Sequence, residues 1–141
     1  MKALTLWQPW ASLIAMGEKK VETRCWQTKY RGPLAIHAAA KSPPEWLGRS
    51  RLSSEFASAS RLCLPARVRR KLPAGVVLCV VHLIDIQEAA LVAADLTPQE
   101  RIFGNYQAGR YAWFLELVEV FPDPVPAKGN RLLWEWHRPT L

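Results

Sequence analysis

The chain has 141 residues, half of them hydrophobic and 22% charged, which suits one domain around one core, residues 1–141. No apolar run approaches the roughly 20 residues of a membrane span, and the N-terminus lacks the apolar stretch of a signal peptide, so a cytoplasmic protein with no membrane partner is expected. A net charge of +7 favours polyanionic partners, which bind basic surfaces with release of counterions.

In chain order, Ala3 to Trp7 reads as a short strand. Pro9 suits the first turn of a helix, where its missing N–H does no harm, and Trp10, Leu13 and Ile14 line one face of that helix. Gly17 is placed to end it. Lys20 to Arg24 and Leu34 to Ala38 read as strands, the second after a Gly32-Pro33 turn. Ser42-Pro43-Pro44-Glu45 is a helix start, and that helix runs through Trp46 and Leu47. Residues 48–75 carry the weakest pattern, part helix and part loop. The basic run Arg67, Arg69, Arg70 and Lys71 there is either a solvated loop or a phosphate contact.

Gly75 opens VVLCVVHLIDIQEA, a strand continuously apolar in its first half and alternating in its second. Thr97, Pro98 and Glu100 form a capping-box helix start. RYAWFLELVEVF alternates as a half-exposed strand, with Tyr111, Trp113, Leu115 and Leu117 on one side. PDPVPAKGN reads as a loop and RLLWEWHR as a last strand. Five or six strands with a few short helices, out of βαβ order, indicate an α+β chain, a small mixed β-barrel with helices at its ends. Cys25, Cys63 and Cys79 are too dispersed for a metal site or a disulfide framework, and His82 and His137 have no companion ligands, so neither metal nor cofactor is expected.

QPWASLIAMGEKKVETRCW, followed by RGPLAIHAAAK, resembles the ASCH domain, a PUA-like family. Its Gly-x-Lys-x-x-Glu-x-Arg signature is similar to Gly17, Lys19, Glu22 and Arg24, with Trp26, Arg31, Gly32, His37 and Lys41 in the segments that follow. The closing GRYAWFLELVEVFPDPVPAKGNRLLWEW also resembles the family's last strands. The resemblance implies a PUA-like barrel and a cleft lined by the signature. It also implies nucleic-acid or nucleotide-derived ligands. Small members resembling amidohydrolases of acylated cytidine imply a second activity, worked by a Lys, a Thr and a Glu. A ribonuclease branch implies a third.

Nucleic-acid binding, to RNA or single-stranded DNA in preference to duplex DNA, is the reading these residues favour. Lys19 and Arg24 would face a phosphate or base with Glu22 orienting them, unless the three only form an ion-pair network. Strand alternation sets Lys20, Glu22 and Arg24 on one side and Lys19 on the other, so Lys19 and Glu22 meet only if the chain turns between them. Trp7 and Trp26 flank the cluster as stacking candidates, whereas Trp10, Trp113 and Trp134 belong to the core. Gln8 touches a base edge or caps the helix. Lys20, Arg31, Lys41, Tyr111 and Lys128 are further cleft candidates, and His37 a core histidine. If the protein is an enzyme, Lys19 and Glu22 are its catalytic candidates. The Thr of the amidohydrolases is replaced by Glu22, however, which counts against that chemistry.

Overall fold

The computed structural model describes residues 1–42 and 54–140. The helix expected from Ser42 through Leu47 lies outside the described residues except for Ser42 itself. Six strands form one mixed sheet: β1 (Lys2–Leu6), β2 (Val21–Arg24), β3 (Gly32–Ala38), β4 (Val76–Glu88), β5 (Tyr111–Pro126) and β6 (Leu133–Glu135). Their order is β2-β5-β4-β3-β1-β6, with β1 and β3 parallel and the other neighbours antiparallel. Register shifts interrupt the β4–β5 ladder at three places and the β3–β4 ladder at one. Each such bulge bends and twists its strand, and together they curl the sheet into a half-barrel whose seam lies between β2 and the β1–β6 edge.

The helices are short: α1 (Trp10–Ala15), α2 (Ser54–Cys63), α3 (Ala66–Arg70), α4 (Ala89–Val92), then a 3-10 turn (Ala93–Asp95) and α5 (Pro98–Phe103). Helix α1 ends where expected. Gly17 sits at φ 77°, its N–H donates to Ile14 O, and the Glu18 N–H donates to Leu13 O. That pair of bonds is a Schellman closure, and glycine adopts its left-handed residue without a Cβ clash. At the other end the expectation shifts by one residue: Pro9, after a cis peptide bond, is the cap and Trp10 opens the helix. Gln8 takes the capping role. Its Oε1 accepts from Ser12 N at 2.9 Å, and its Nε2 donates to Ser12 Oγ and to Pro73 O.

Among the described residues, three apolar clusters pack on the sheet, the smallest of them Val21, Ala89, Val92 and Ala112. Leu4, Leu6, Leu34, Ile36, Val81, Leu83 and Trp113 face α1, α2 and α5, while Ala3, Ala35, Val77, Val80, Phe121 and Trp136 form a smaller cluster. Trp134, expected in the core, is only half-buried. Two readings of β5 need correction. Its burial alternation stops at Leu115 and leaves Leu117 exposed, because the bulges shift which residue faces the core. The strand then continues through Pro122, Pro124 and Pro126 instead of ending in a loop. Ala127 N donates to Gly75 O, so the odd-numbered N–H groups face β4. The three prolines therefore put their missing donors on the side that β2, paired only as far as Phe114, does not cover.

Candidate nucleic-acid interface

The seam opens into a cleft of about 660 Å³. Leu4 to Trp7 of β1 and its exit, with Trp10 and Ala39, form one side; Glu22 to Trp26 form the other. Phe103, Arg110 and the Asn130–Leu132 segment complete it. The β6 pairing stops at Leu4↔Leu133, and just beyond it Arg24 reaches across from β2 to donate from Nη2 to Thr5 O at 2.8 Å. Arg24 Nε lies 3.2 Å from Glu22 Oε2 but is oriented off a hydrogen bond, so the ion pair leaves this buried donor without an acceptor.

Lys19 does not line the cleft. The Gly17 turn delays the strand until Val21, so Lys19 precedes the alternation and its side chain turns inward. It is 1% exposed and donates from Nζ to Val21 O at 2.6 Å and to Phe103 O at 3.1 Å, with Glu22 Oε1 3.5 Å away. Burial pulls its pKa below the usual lysine value, against the pull of Glu22 and Glu100. The turn that lets Lys19 and Glu22 meet is thus the helix exit, and their meeting is an internal ion pair. Thr97 caps α5 by accepting from Glu100 N, yet the Glu100 carboxylate turns away from the expected capping box and accepts from Lys20 N at 2.6 Å and Val21 N at 3.2 Å. Burial raises its pKa, opposed by those two N–H groups and Lys19. Tyr106 Oη lies in the same region, buried and without a hydrogen-bond partner, and burial beside Glu100 and Glu22 raises its pKa.

Of the sequence candidates, Trp7, Glu22, Arg24 and Trp26 come together in the cleft. Trp26 is half-buried with its ring edge-on to Trp113 at 4.8 Å, so it is both a core neighbour and a cleft wall. Lys20 is exposed on a separate groove with Ile84 and Leu117. Arg31 folds back on Thr28 O and Tyr30 O, 3.8 Å from Asp85. Tyr111 packs on the core, and Lys41 and Lys128 are exposed without lining the cleft. Arg110 and Arg131 do line it and had not been singled out. Arg110 donates to Asn105 O and Thr23 O, and the Arg24↔Tyr111 pairing brings it beside Cys25. The β2–β5 pairing is the signal that places Arg110 at the cleft. Leu132, next to Arg131, holds a left-handed φ of 55° that costs a non-glycine residue about 1–2 kcal/mol. Among the described residues no group of three His, Cys, Asp or Glu could hold a metal, and no helix is long and apolar enough to cross a membrane.

Behind the Asn130–Leu132 wall lies a relay. Trp134 Nε1 donates to Thr5 Oγ1 at 3.0 Å, Thr5 Oγ1 meets His37 Nδ1 at 3.2 Å, and His37 Nε2 donates to Ala127 O at 2.7 Å. The carbonyl can only accept, so Nε2 carries the proton and Nδ1 accepts from Thr5. Burial holds the His37 pKa below its ordinary value. Such a group stabilises the fold fully above its unfolded pKa of about 6.5 and loses that contribution as pH falls toward the folded value. Urea unfolding at pH 7.5 and 5.5 should therefore show lower stability at the acid pH, and His37→Asn should flatten the difference. An unchanged pH dependence in that variant assigns the effect to other groups.

The chain matches the ASCH domain family over residues 4–125. It is 37% identical over 135 residues to activating signal cointegrator 1 of Homo sapiens and 36% identical to that of Mus musculus, covering 94% of this chain and 22% of each relative. The chain thus spans about a fifth of the length of these curated relatives. In fold it is similar to the crystal structure of ASCH from Zymomonas mobilis, with a TM-score of 0.51 at 16% identity, over 97% of this chain and 87% of that one.

Proposed function

This chain belongs to the ASCH domain family, and on that footing we propose that the seam cleft binds nucleic acid, RNA or single-stranded DNA in preference to duplex. The observation that carries the reading is the lining: Trp7 and Trp26 share one open cleft with Arg24, Arg110 and Arg131, against a single acid among the described residues, Glu22. Indole faces take bases of any sequence, and guanidinium forks take phosphate oxygens in pairs. A cleft bounded by side chains and a strand edge suits unpaired bases, which can be splayed into it, better than a stacked duplex. Lys19 favours binding over hydrolysis. Its ammonium is committed to two carbonyls and Glu22 beneath the cleft, which leaves no free amine for an attack or a proton shuttle.

Titration of a labelled single-stranded RNA at several salt concentrations tests this. Trp26→Ala should cost about 1–3 kcal/mol of affinity. Arg131→Ala, whose side chain is exposed, should weaken binding and reduce the salt slope by about one. Absence of binding at low salt would overturn the reading, and equal affinity for duplex DNA would remove the single-strand preference. Chromatography of N4-acetylcytidine after incubation with the protein checks the hydrolase alternative, for which deacetylation is the decisive product.

A further inference from the structure

The basic run Arg67, Arg69, Arg70 and Lys71 takes no part in the cleft, yet the fold anchors it at one end of it. Leu64, Val68 and Leu72 pack on the main core and tie down α3 within the helix and on both flanks. The four cations between them are exposed, and none forms an ion pair among the described residues. Helix α3 contains no acid. Two residues after Lys71, Pro73 O accepts from Gln8 Nε2 at 2.9 Å, and Gly75 N donates to Ala38 O at 2.9 Å. Gln8 follows Trp7 and Ala38 precedes Ala39, and both Trp7 and Ala39 line the cleft. Two hydrogen bonds and three apolar anchors thus hold, next to the Trp7 end, a positive surface that is unpaired among the described residues. Four like charges in five residues repel one another, and a polyanion is the ligand class that relieves this with release of its own counterions.

We propose that Arg67, Arg69, Arg70 and Lys71 form a second phosphate-binding surface that continues the cleft past Trp7 and holds the backbone of a single strand longer than the cleft can cover. The inference rests on the cleft reading above. In it the cleft takes bases, while the α3 surface takes phosphates without regard to sequence.

The test uses the full chain with labelled (U)4 and (U)15 RNA at several salt concentrations. Arg67→Ala/Arg69→Ala/Arg70→Ala should weaken (U)15 binding at least tenfold at low salt and lower its salt slope by about two to three, with less than a twofold effect on (U)4. Lys2→Ala/Arg101→Ala/Arg138→Ala, matched in charge but away from the Trp7 end, should change either affinity less than threefold. Thermal melting checks that both variants fold. Equal losses on (U)15 from the two triple variants would reduce the surface to a diffuse field and overturn the proposal. So would equal losses at both lengths, or no loss. Arg131→Ala and Trp7→Ala separate the two readings: if they leave (U)4 binding intact while the α3 variant loses (U)15, the cleft reading fails and the α3 surface stands. If the wild-type chain binds neither RNA, both fall.

Discussion

Lys19→Met should lose about 3–5 kcal/mol of folding stability, read as a fall in the urea midpoint without a large change in slope. The substitution keeps most of the length and apolar stem and deletes only the ammonium. That ammonium serves Val21 O, Phe103 O and Glu22 at once in a place with 1% exposure, so nothing, water included, replaces it. Phe103 is the last residue of α5, which makes the lysine a cationic cap on a helix C-terminus as well as an ion-pair partner. Glu22, 8% exposed, would keep the Thr23 N–H and, among the described residues, Arg24 as its one cation. Lys19→Met/Glu22→Gln should recover part of the loss, because the uncompensated carboxylate goes with the lysine. A single variant that unfolds within 1 kcal/mol of wild type would show that the buried network contributes little.

Gly129→Ala should both destabilise the fold, by about 1–3 kcal/mol, and weaken single-strand binding. A methyl at this position meets His37 Cε1 at 2.7 Å, His37 Nδ1 at 2.8 Å and Thr5 Oγ1 at 2.9 Å. None of these atoms is the far end of a flexible side chain. The imidazole is held at both nitrogens, and Thr5 Oγ1 is shared with Trp134. The loop has to lift instead, and the loop carries Asn130, Arg131 and Leu132 into the cleft. A parallel measurement of urea unfolding and RNA titration checks the coupling. Unchanged affinity with lowered stability would mean that the 130–132 wall does not contribute to binding.

The parts of the fold legible in the sequence were those whose signal is local. The β3 and β4 runs are apolar because they are buried, the Gly17 stop is written by one glycine, and the signature with its flanking tryptophans is a single continuous stretch. What stayed hidden depends on pairing partners. Whether Pro122 to Pro126 breaks a strand depends on which side lacks a neighbour, and that exists only once β2 has been placed. Alternation counted from Lys20 places Lys19 on a strand face, but the chain extends only from Val21, after the helix closure. Glu100, Arg110 and Arg131 arrive from segments far along the chain. Glu100 even carries a local motif that it does not use, since two orphan N–H groups of another segment are the better partners for a carboxylate.

The crossing of the seam by Arg24 bears on how this barrel can breathe. Where strands are zipped by backbone bonds, a gap widens only if a ladder comes apart. Between Arg24 and Thr5 the fastening is a guanidinium on a four-bond tether, and its release requires torsion about single bonds with every strand left paired. Side-chain torsions at partly exposed sites run in picoseconds to nanoseconds, far faster than strand separation. On the proposed reading, an anion that drew the guanidinium away would open this fastening with no ladder parted, so the aperture would follow its occupant while the surrounding sheet stayed still.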